Sequence, residues 1–244
     1  MTDDEKKMIK RLSELSNRAE MRGRHTYSEF LTLAEQALLP QASCAGAYSL
    51  FGGWENAERR VACFGEDAEA AAPLDCVRIA PLSVKFAEEL GHRDYLGALM
   101  SLGVRREVLG DIVLSGDEAY LFCLESISDF IISELTQIRR TSVRCEKVGT
   151  LPDTAMPLPE AREVVVSSVR LDALVCAVWN LSRSEGQELI VKGRAFVNGK
   201  EITSAAFSPA EYDIISVRGR GRFQFCGIER ETKKGRIRAA VKVW

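Results

Sequence analysis

Histidine is almost missing from this chain: 244 residues hold two, His25 and His92, far apart in sequence. The seven cysteines, at 44, 63, 76, 123, 145, 176 and 226, are odd in number and include no C-x-x-C pair, so neither zinc nor a disulfide framework is expected. No metal and no cofactor is expected, and the thiols are expected to be reduced, several of them buried. No G-x-x-x-x-G-K pattern follows Gly52-Gly53 and no G-x-G-x-x-G occurs, which leaves the chain without the common phosphate and dinucleotide loops. No apolar run approaches the ~18 residues of a membrane span, and the start Met1-Thr2-Asp3-Asp4-Glu5-Lys6-Lys7 is too polar for a signal peptide. A cytoplasmic protein with no membrane partner is the expectation.

What is present is ordinary in amount and uneven in place. Hydrophobic residues make up 46% and charged ones 28%, the composition of a soluble globular protein. The net charge of −2 conceals a division: from residue 161 onward there are 15 Lys and Arg against 9 Asp and Glu, and before it 18 against 26. A basic C-terminal third attached to an acidic remainder suits a polyanionic partner for the former.

The chain is long enough for one large domain or two to three small ones. Pro152, Pro157 and Pro159 interrupt any regular element across 151–162, so a linker is placed there, with a weaker boundary in the acidic, alanine-rich stretch from Glu66 to Pro73. Residues 1–72 read as mainly helical, from the amphipathic Met8, Leu12 and Leu15 and a second helix from about Ser28 to Leu39, with a strand at Val61 to Phe64. Residues 73–150 read as strand, helix, two strands, helix, strand: Leu74 to Ala80, Asp94 to Leu102, Asp111 to Leu114, Ala119 to Leu124, Ile127 to Arg139 and Ser142 to Val148. This βαββαβ order suggests a ferredoxin-like sandwich, the topology of RNA-recognition motifs. Tyr120 and Phe122 share one sheet face, where they either stack bases or pack; the Gly-aromatic signature of such motifs is missing, which favours packing. The fold class expected is therefore α+β.

Residues 163–244 carry the most specific pattern. Leu171, Leu174, Val175 and Val178 recur at the spacing of one buried helical stripe, with Arg170 and Asp172 off it. Ser182 and Glu185 form a capping box for a second helix, whose first N–H groups, beside Arg183, make a site suited to a phosphate. Asn198-Gly199 is a type I′ hairpin signal. Ile237, Ala239, Val241 and Val243 alternate with Arg236, Arg238, Ala240 and Lys242, one face for a core and one largely cationic, after a turn holding Lys233 and Lys234. In this order, Arg170-Leu171-Asp172, Ser182-Arg183-Ser184, Val197-Asn198-Gly199 and Val217-Arg218-Gly219-Arg220-Gly221-Arg222-Phe223 resemble the S4-type RNA-binding domain. The resemblance implies an RNA partner. Arg170 with Asp172 reads equally as an ion pair that orients the helix and as a direct RNA contact.

The likeness extends over nearly the whole chain. Phe51-Gly52-Gly53-Trp54 with Ala57-Glu58-Arg59, His92-Arg93-Asp94-Tyr95-Leu96-Gly97-Ala98-Leu99, and Leu102-Gly103-Val104-Arg105-Arg106-Glu107 with Gly110-Asp111-Ile112 resemble the YlmH family of bacterial S4-domain proteins. That resemblance implies ribosome-associated quality control on obstructed large subunits, with ribosomal RNA, tRNA and the ribosome as partners of a monomeric protein. It points to Arg170, Asp172, Ser182, Arg183, Lys192, Arg194, Asn198, Lys200, Arg218, Arg220 and Arg222 as RNA contacts. His92, Arg93, Lys233, Lys234, Arg236 and Arg238 are secondary candidates. The chain departs from the family at Gly186, where alanine is usual, and at Tyr212, where glycine often precedes Asp213.

Two other readings remain. An RNA-modifying enzyme would use His92 as a base with Asp94 as its orienting carboxylate, but residues two apart on a helix do not face each other, and 1–160 is small for such a catalytic domain. A protein-interaction adaptor in cell division follows only from the family's gene neighbourhood. The expectation is a protein without catalysis.

Overall fold

Thr2 and Glu5 cap one another, the Thr2 hydroxyl accepting from the Glu5 N–H at 3.2 Å and the Glu5 carboxylate from the Thr2 N–H at 2.6 Å. Helix α1 therefore runs Asp3–Arg22 and stops at Gly23 in a left-handed cap (φ +56°). The computed structural model of this α+β chain describes residues 2–156, 159–232 and 235–244. Its residues fall into two compact units, one ending at Met156 and the other comprising the rest.

In the first unit α1 is followed by β1 (Thr26–Tyr27), α2 (Leu33–Gln36), β2 (Tyr48–Phe51) and β3 (Val61–Phe64), the strands forming an antiparallel sheet in the order β1-β3-β2. The N-terminal segment is thus a helix beside a sheet, not mainly helical. The helix expected from Ser28 is cut to one turn, because residues 28–31 run extended along β3. Ser28 N–H donates to the Ala62 carbonyl at 3.0 Å and Leu31 N–H to that of Arg60 at 2.8 Å. Both Phe30 and Leu31 are buried by this path, and α2 begins only after the Thr32–Glu35 capping box. Long-range pairing overrides the local helical pattern here.

The same unit continues with β4 (Leu74–Pro81), α3 (His92–Ser101), β5 (Leu109–Ser115), β6 (Glu118–Leu124), α4 (Glu125–Glu134), β7 (Gln137–Ile138) and β8 (Thr141–Val148). The sheet is antiparallel throughout, in the order β5-β6-β4-β8-β7. Helix α4 ends earlier than its sequence suggests because Gln137 and Ile138 turn back onto Ser142 and Thr141, with Arg139 at φ +52° in the turn.

Alternation along β4 and β6 divides the core in two. Val77, Ile79, Leu121 and Cys123 face α3 and α4, where they meet Tyr95, Leu99 and Ile131. Cys76, Tyr120 and Phe122 face the other way and meet Phe30, Trp54, Ala57, Val61 and Cys63 of the N-terminal segment. The boundary expected at residues 72–73 falls inside this shared core. Gly53, at φ +89°, lets the backbone lie on Phe122: a Cβ there would stand 2.3 Å from the ring. Leu151 and Ala155, placed in a linker by the sequence, are buried in the same core.

The second unit contains β9 (Glu160–Val166), α5 (Leu171–Trp179), α6 (Arg183–Val191), β10 (Ala195–Val197), β11 (Lys200–Glu201), β12 (Ile214–Val217), β13 (Gly221–Glu231) and β14 (Ile237–Val243). The expected linker therefore ends before Glu160, which already pairs with Val243. The antiparallel order is β11-β10-β12-β13-β14-β9, with α5 and α6 on one face over Leu171, Leu174, Val175, Val197, Ile215, Phe223 and Val241. Each such buried aliphatic or aromatic side chain contributes about 1.5–3 kcal/mol. The two-residue turn at Asn198 (φ +48°) and Gly199 (φ +75°) has both positive angles a type I′ hairpin needs.

Both departures from the family pattern have a local cause or consequence. Tyr212 sits at φ +70°, a conformation that glycine adopts more readily. Gly186 is buried where α6 crosses α5, and a Cβ there would meet Cys176 Sγ at 2.3 Å. A Gly186→Ala variant is expected to destabilise this unit by about 1–3 kcal/mol through overpacking. Adding Cys176→Ala removes the sulfur and leaves a Cβ contact of 3.8 Å. The double variant should recover the loss and gain up to ~1 kcal/mol of helix propensity. Urea denaturation of the three proteins checks this, and equal stability of the single and double variants would refute the steric account.

Candidate nucleic-acid interface

The N-termini of α5 and α6 meet at one corner of the second unit, and their first N–H groups have different fates. In α5 the Leu171 N–H donates to the Phe207 carbonyl at 2.7 Å and the Asp172 N–H to Ala205 at 3.2 Å, so a loop already occupies that end. In α6 the Ser182 hydroxyl accepts from Glu185 N–H at 3.3 Å, while the Glu185 carboxylate accepts from Ser182 N–H at 2.8 Å. The N–H groups of Arg183 and Ser184 have no carbonyl one turn back within the helix, which leaves the α6 end open to an anion.

Between these ends lies a cavity of about 190 Å³ lined by Ser167, Ser168, Arg170, Asp172, Arg183 and Gln187. Asp172 accepts from Arg170 Nε at 3.0 Å, from Arg170 Nη2 at 2.8 Å and from the Ala173 N–H at 2.9 Å, with Gln187 Nε2 at 3.4 Å. Burial works to raise the Asp172 pKa, but the hydrogen bonds from Arg170 and Gln187 outweigh it and hold the carboxyl below its ordinary value. Asp172 is therefore ionised at neutral pH and fixes the Arg170 guanidinium, whose Nη1 has no partner among the described residues. Arg183 is exposed and has neither a hydrogen bond nor an ion pair from its side chain among the described residues. Cation, helix end and oriented guanidinium converge on a space suited to a phosphate group.

The remaining candidates are placed differently. Arg220 is exposed on the β12–β13 loop, near enough to Glu185 to lower that carboxyl's pKa, a smaller cause than the Ser182 hydrogen bonds. Lys192 is ion-paired with Glu188, one turn back on α6, and Arg194 follows that helix exposed. Asn198 serves the hairpin itself, since its Nδ2 donates to Asp213 at 2.7 Å and its Oδ1 accepts from the Ile214 N–H at 2.9 Å. Lys200 is exposed on the edge strand β11. Arg218 lies over the Phe196 ring at 4.8 Å and Arg222 over the Trp244 ring at 5.1 Å. Arg238 pairs with Glu163 at 2.8 Å, Arg236 is exposed, and Lys233 and Lys234 lie outside the described residues. The structure thus gathers Arg170, Asp172, Ser182 and Arg183 at one corner, with Arg220 beside it. Ser167, Ser168 and Gln187 join them unforeseen; Gln187, four residues after Arg183, shares its helix face.

His92 and Arg93 belong to the other unit, at the start of α3. Asp94 accepts from the Gly91 N–H at 2.9 Å and pairs with Arg139 at 3.1 Å, so its carboxylate closes the helix end instead of orienting His92. The glycine-tryptophan and double-arginine motifs meet at Asp111. Its carboxylate accepts from Glu58 N–H at 2.7 Å, Arg59 N–H at 3.1 Å and Trp54 Nε1 at 3.3 Å. Arg59 and Arg106 donate to the Leu109 carbonyl at 2.9 Å each, and Arg59 Nη2 also reaches the Phe30 carbonyl at 3.0 Å. Burial, then the neighbouring Arg59, pushes the Arg106 guanidinium down to about 10, still charged at neutral pH. Tyr120 and Phe122, candidates for base stacking, are 6% and 2% exposed beneath this segment and pack instead. Among the described residues no helix is long and apolar enough to cross a membrane.

Comparison with known proteins adds three findings. Residues 77–151 match the family described as "Putative RNA-binding domain in YlmH". The chain is 33% identical to the "Ribosome-associated protein quality control protein P2" of Bacillus subtilis over 248 aligned positions, covering 98% of this chain and 95% of that protein. Among solved structures it resembles "Cell division protein ylmH from Streptococcus pneumoniae" with a TM-score of 0.51 and 14% identity, over 61% of this chain and 93% of that one, a likeness of fold.

Proposed function

Since the chain belongs to the YlmH family, we propose that it is a non-catalytic RNA-binding protein that acts on the ribosome. We read residues 163–244 as an S4-type module and residues 73–150 as a ferredoxin-like, RRM-like domain whose outer sheet face is closed by the N-terminal segment. The antiparallel order β5-β6-β4-β8 and the pair of helices on one face support the second assignment. The observation that carries the functional reading is the corner where Arg170, held by Asp172, and Arg183, without an ion pair among the described residues, face one cavity at the open end of α6.

Such a corner grips phosphates without covalent chemistry. Arg170 is pre-aimed by its carboxylate, Arg183 and the α6 N–H groups supply the positive end, and Arg220 extends the contact from the neighbouring loop. Backbone contacts of this kind set register on a structured RNA and depend strongly on salt. The name of the Bacillus subtilis relative supports a place in ribosome-associated quality control; large-subunit ribosomal RNA and tRNA are the RNAs proposed, met by a monomer in the cytoplasm. An RNA-modifying activity centred on His92 finds no support, because Asp94 is committed to Gly91 and Arg139.

Ultraviolet crosslinking in cells, with sequencing of the RNA recovered on the protein, tests this reading. Crosslinks concentrated in large-subunit ribosomal RNA and tRNA are expected. Crosslinks confined to one non-ribosomal RNA would replace this function with the modifying-enzyme reading.

A further inference from the structure

Across the sheet of the second unit, Phe196 on β10 pairs with Ser216 on β12, and Ser216 with Arg222 on β13. Trp244 extends the row, its N–H donating to the Arg222 carbonyl at 3.1 Å. These four residues point away from α5 and α6, because their strand neighbours Ala195, Val197, Ile215, Val217 and Phe223 are buried against those helices and side chains alternate along a strand. Phe196 and Trp244 are each half-buried, Phe196 beneath the Arg218 guanidinium and Trp244 beneath that of Arg222. Further along the same face come Gln224 and Lys242, paired across β13 and β14, then Arg238 opposite Val165. Glu163, a carboxylate opposite Ala240 on this face, is held by Arg238, and Glu201 stands exposed opposite Phe196 on the edge strand β11.

A guanidinium centred over an aromatic ring marks a place where flat groups stack, and bases are the flat groups that arrive with phosphates attached. Three strand spacings separate Phe196 from Trp244, about 14 Å, wide enough for more than one base. We propose that this helix-free sheet face is a second RNA site, taking a short unpaired stretch with bases against Phe196–Arg218 and Arg222–Trp244 and phosphates toward Lys242. The site rests on the RNA-binding reading given above but differs from the α5–α6 corner in ligand: unpaired bases here, the phosphate backbone of a structured RNA there.

The two sites separate experimentally in the full chain, with a fluorescently labelled ten-nucleotide oligouridine and a blunt RNA hairpin as probes. Phe196→Leu with Trp244→Leu is expected to weaken oligouridine binding at least roughly tenfold, as loss of two stacking platforms requires, and to change hairpin binding less than twofold. Arg183→Glu is expected to do the reverse. Because Phe196 is partly buried, Arg218→Glu with Lys242→Glu, both at exposed positions, reads the same face without touching the core. Oligouridine affinity unchanged in both folded double variants overturns the proposal, as does a wild-type protein that binds no oligouridine. Equal loss of both probes in every variant reduces the two sites to one and overturns it too. Hairpin binding that ignores Arg183→Glu, with oligouridine still lost in the ring variant, refutes the corner and leaves this face standing.

Discussion

An Arg183→Glu, Arg220→Glu double variant is expected to lose affinity for structured RNA on the order of 100-fold at physiological salt, with its fold unchanged. Both side chains are exposed and make no ion pair among the described residues, so charge reversal removes no hydrogen bond and only the longer-range attraction of Arg220 for Glu185. At the first position of α6 a glutamate even suits the helix dipole. The RNA should feel the change twice, through two lost phosphate contacts and through two new repulsions. The slope of log affinity against log salt should become shallower by roughly 1.4 to 1.8, since each phosphate neutralised contributes roughly 0.7 to 0.9. Fluorescence anisotropy at several salt concentrations, beside circular dichroism of both proteins, measures it. Undiminished binding by the folded double variant would remove the α5–α6 corner from the RNA-binding surface.

An Asp111→Ala variant is expected to lower the stability of the first unit by about 3 kcal/mol, because three donors lose one acceptor and two half-buried arginines lose a neighbouring carboxylate. The Trp54 indole and the N–H groups of Glu58 and Arg59 all end on that side chain. For a unit of this size the melting temperature should fall by roughly 6–12 °C. Asp111→Asn keeps one acceptor oxygen and should fall by less. Melting curves within about 2 °C of wild type for the alanine variant would mean that the bonds of Arg59 and Arg106 to backbone carbonyls hold the segment without the carboxylate.

Features decided within a few residues were readable in the sequence. The Ser182–Glu185 box, the Asn198-Gly199 turn, the Leu171 stripe and the alternation from Ile237 to Val243 each sit in the structure as their local chemistry dictates. What escaped was set by distant partners. Ser28 to Leu31 carries a helical pattern, yet its donors pair with carbonyls of Arg60 and Ala62. Tyr120 and Phe122 look like an open platform until Trp54 and Phe30 cover them. The candidate corner was legible in its cations, whose types and order are in the sequence. Its walls were not, since Ser167, Ser168 and Gln187 join it through the crossing of α5 and α6, and Asn198 is tied to Asp213 fifteen residues on.

The shared core of the first unit also imposes a schedule on synthesis. The sheet β1-β3-β2 is complete once Phe64 has been added, but Phe122, the ring that closes its apolar side, lies about 58 residues later. At roughly 5–20 residues per second, some 3–12 s pass with Phe30, Val61 and Cys63 uncovered on a growing chain. Helix α1 already covers the other face of this early sheet, at Ala62 and Phe64, so until β6 has left the exit tunnel it is the side meant for Phe122 that lies open on the nascent chain.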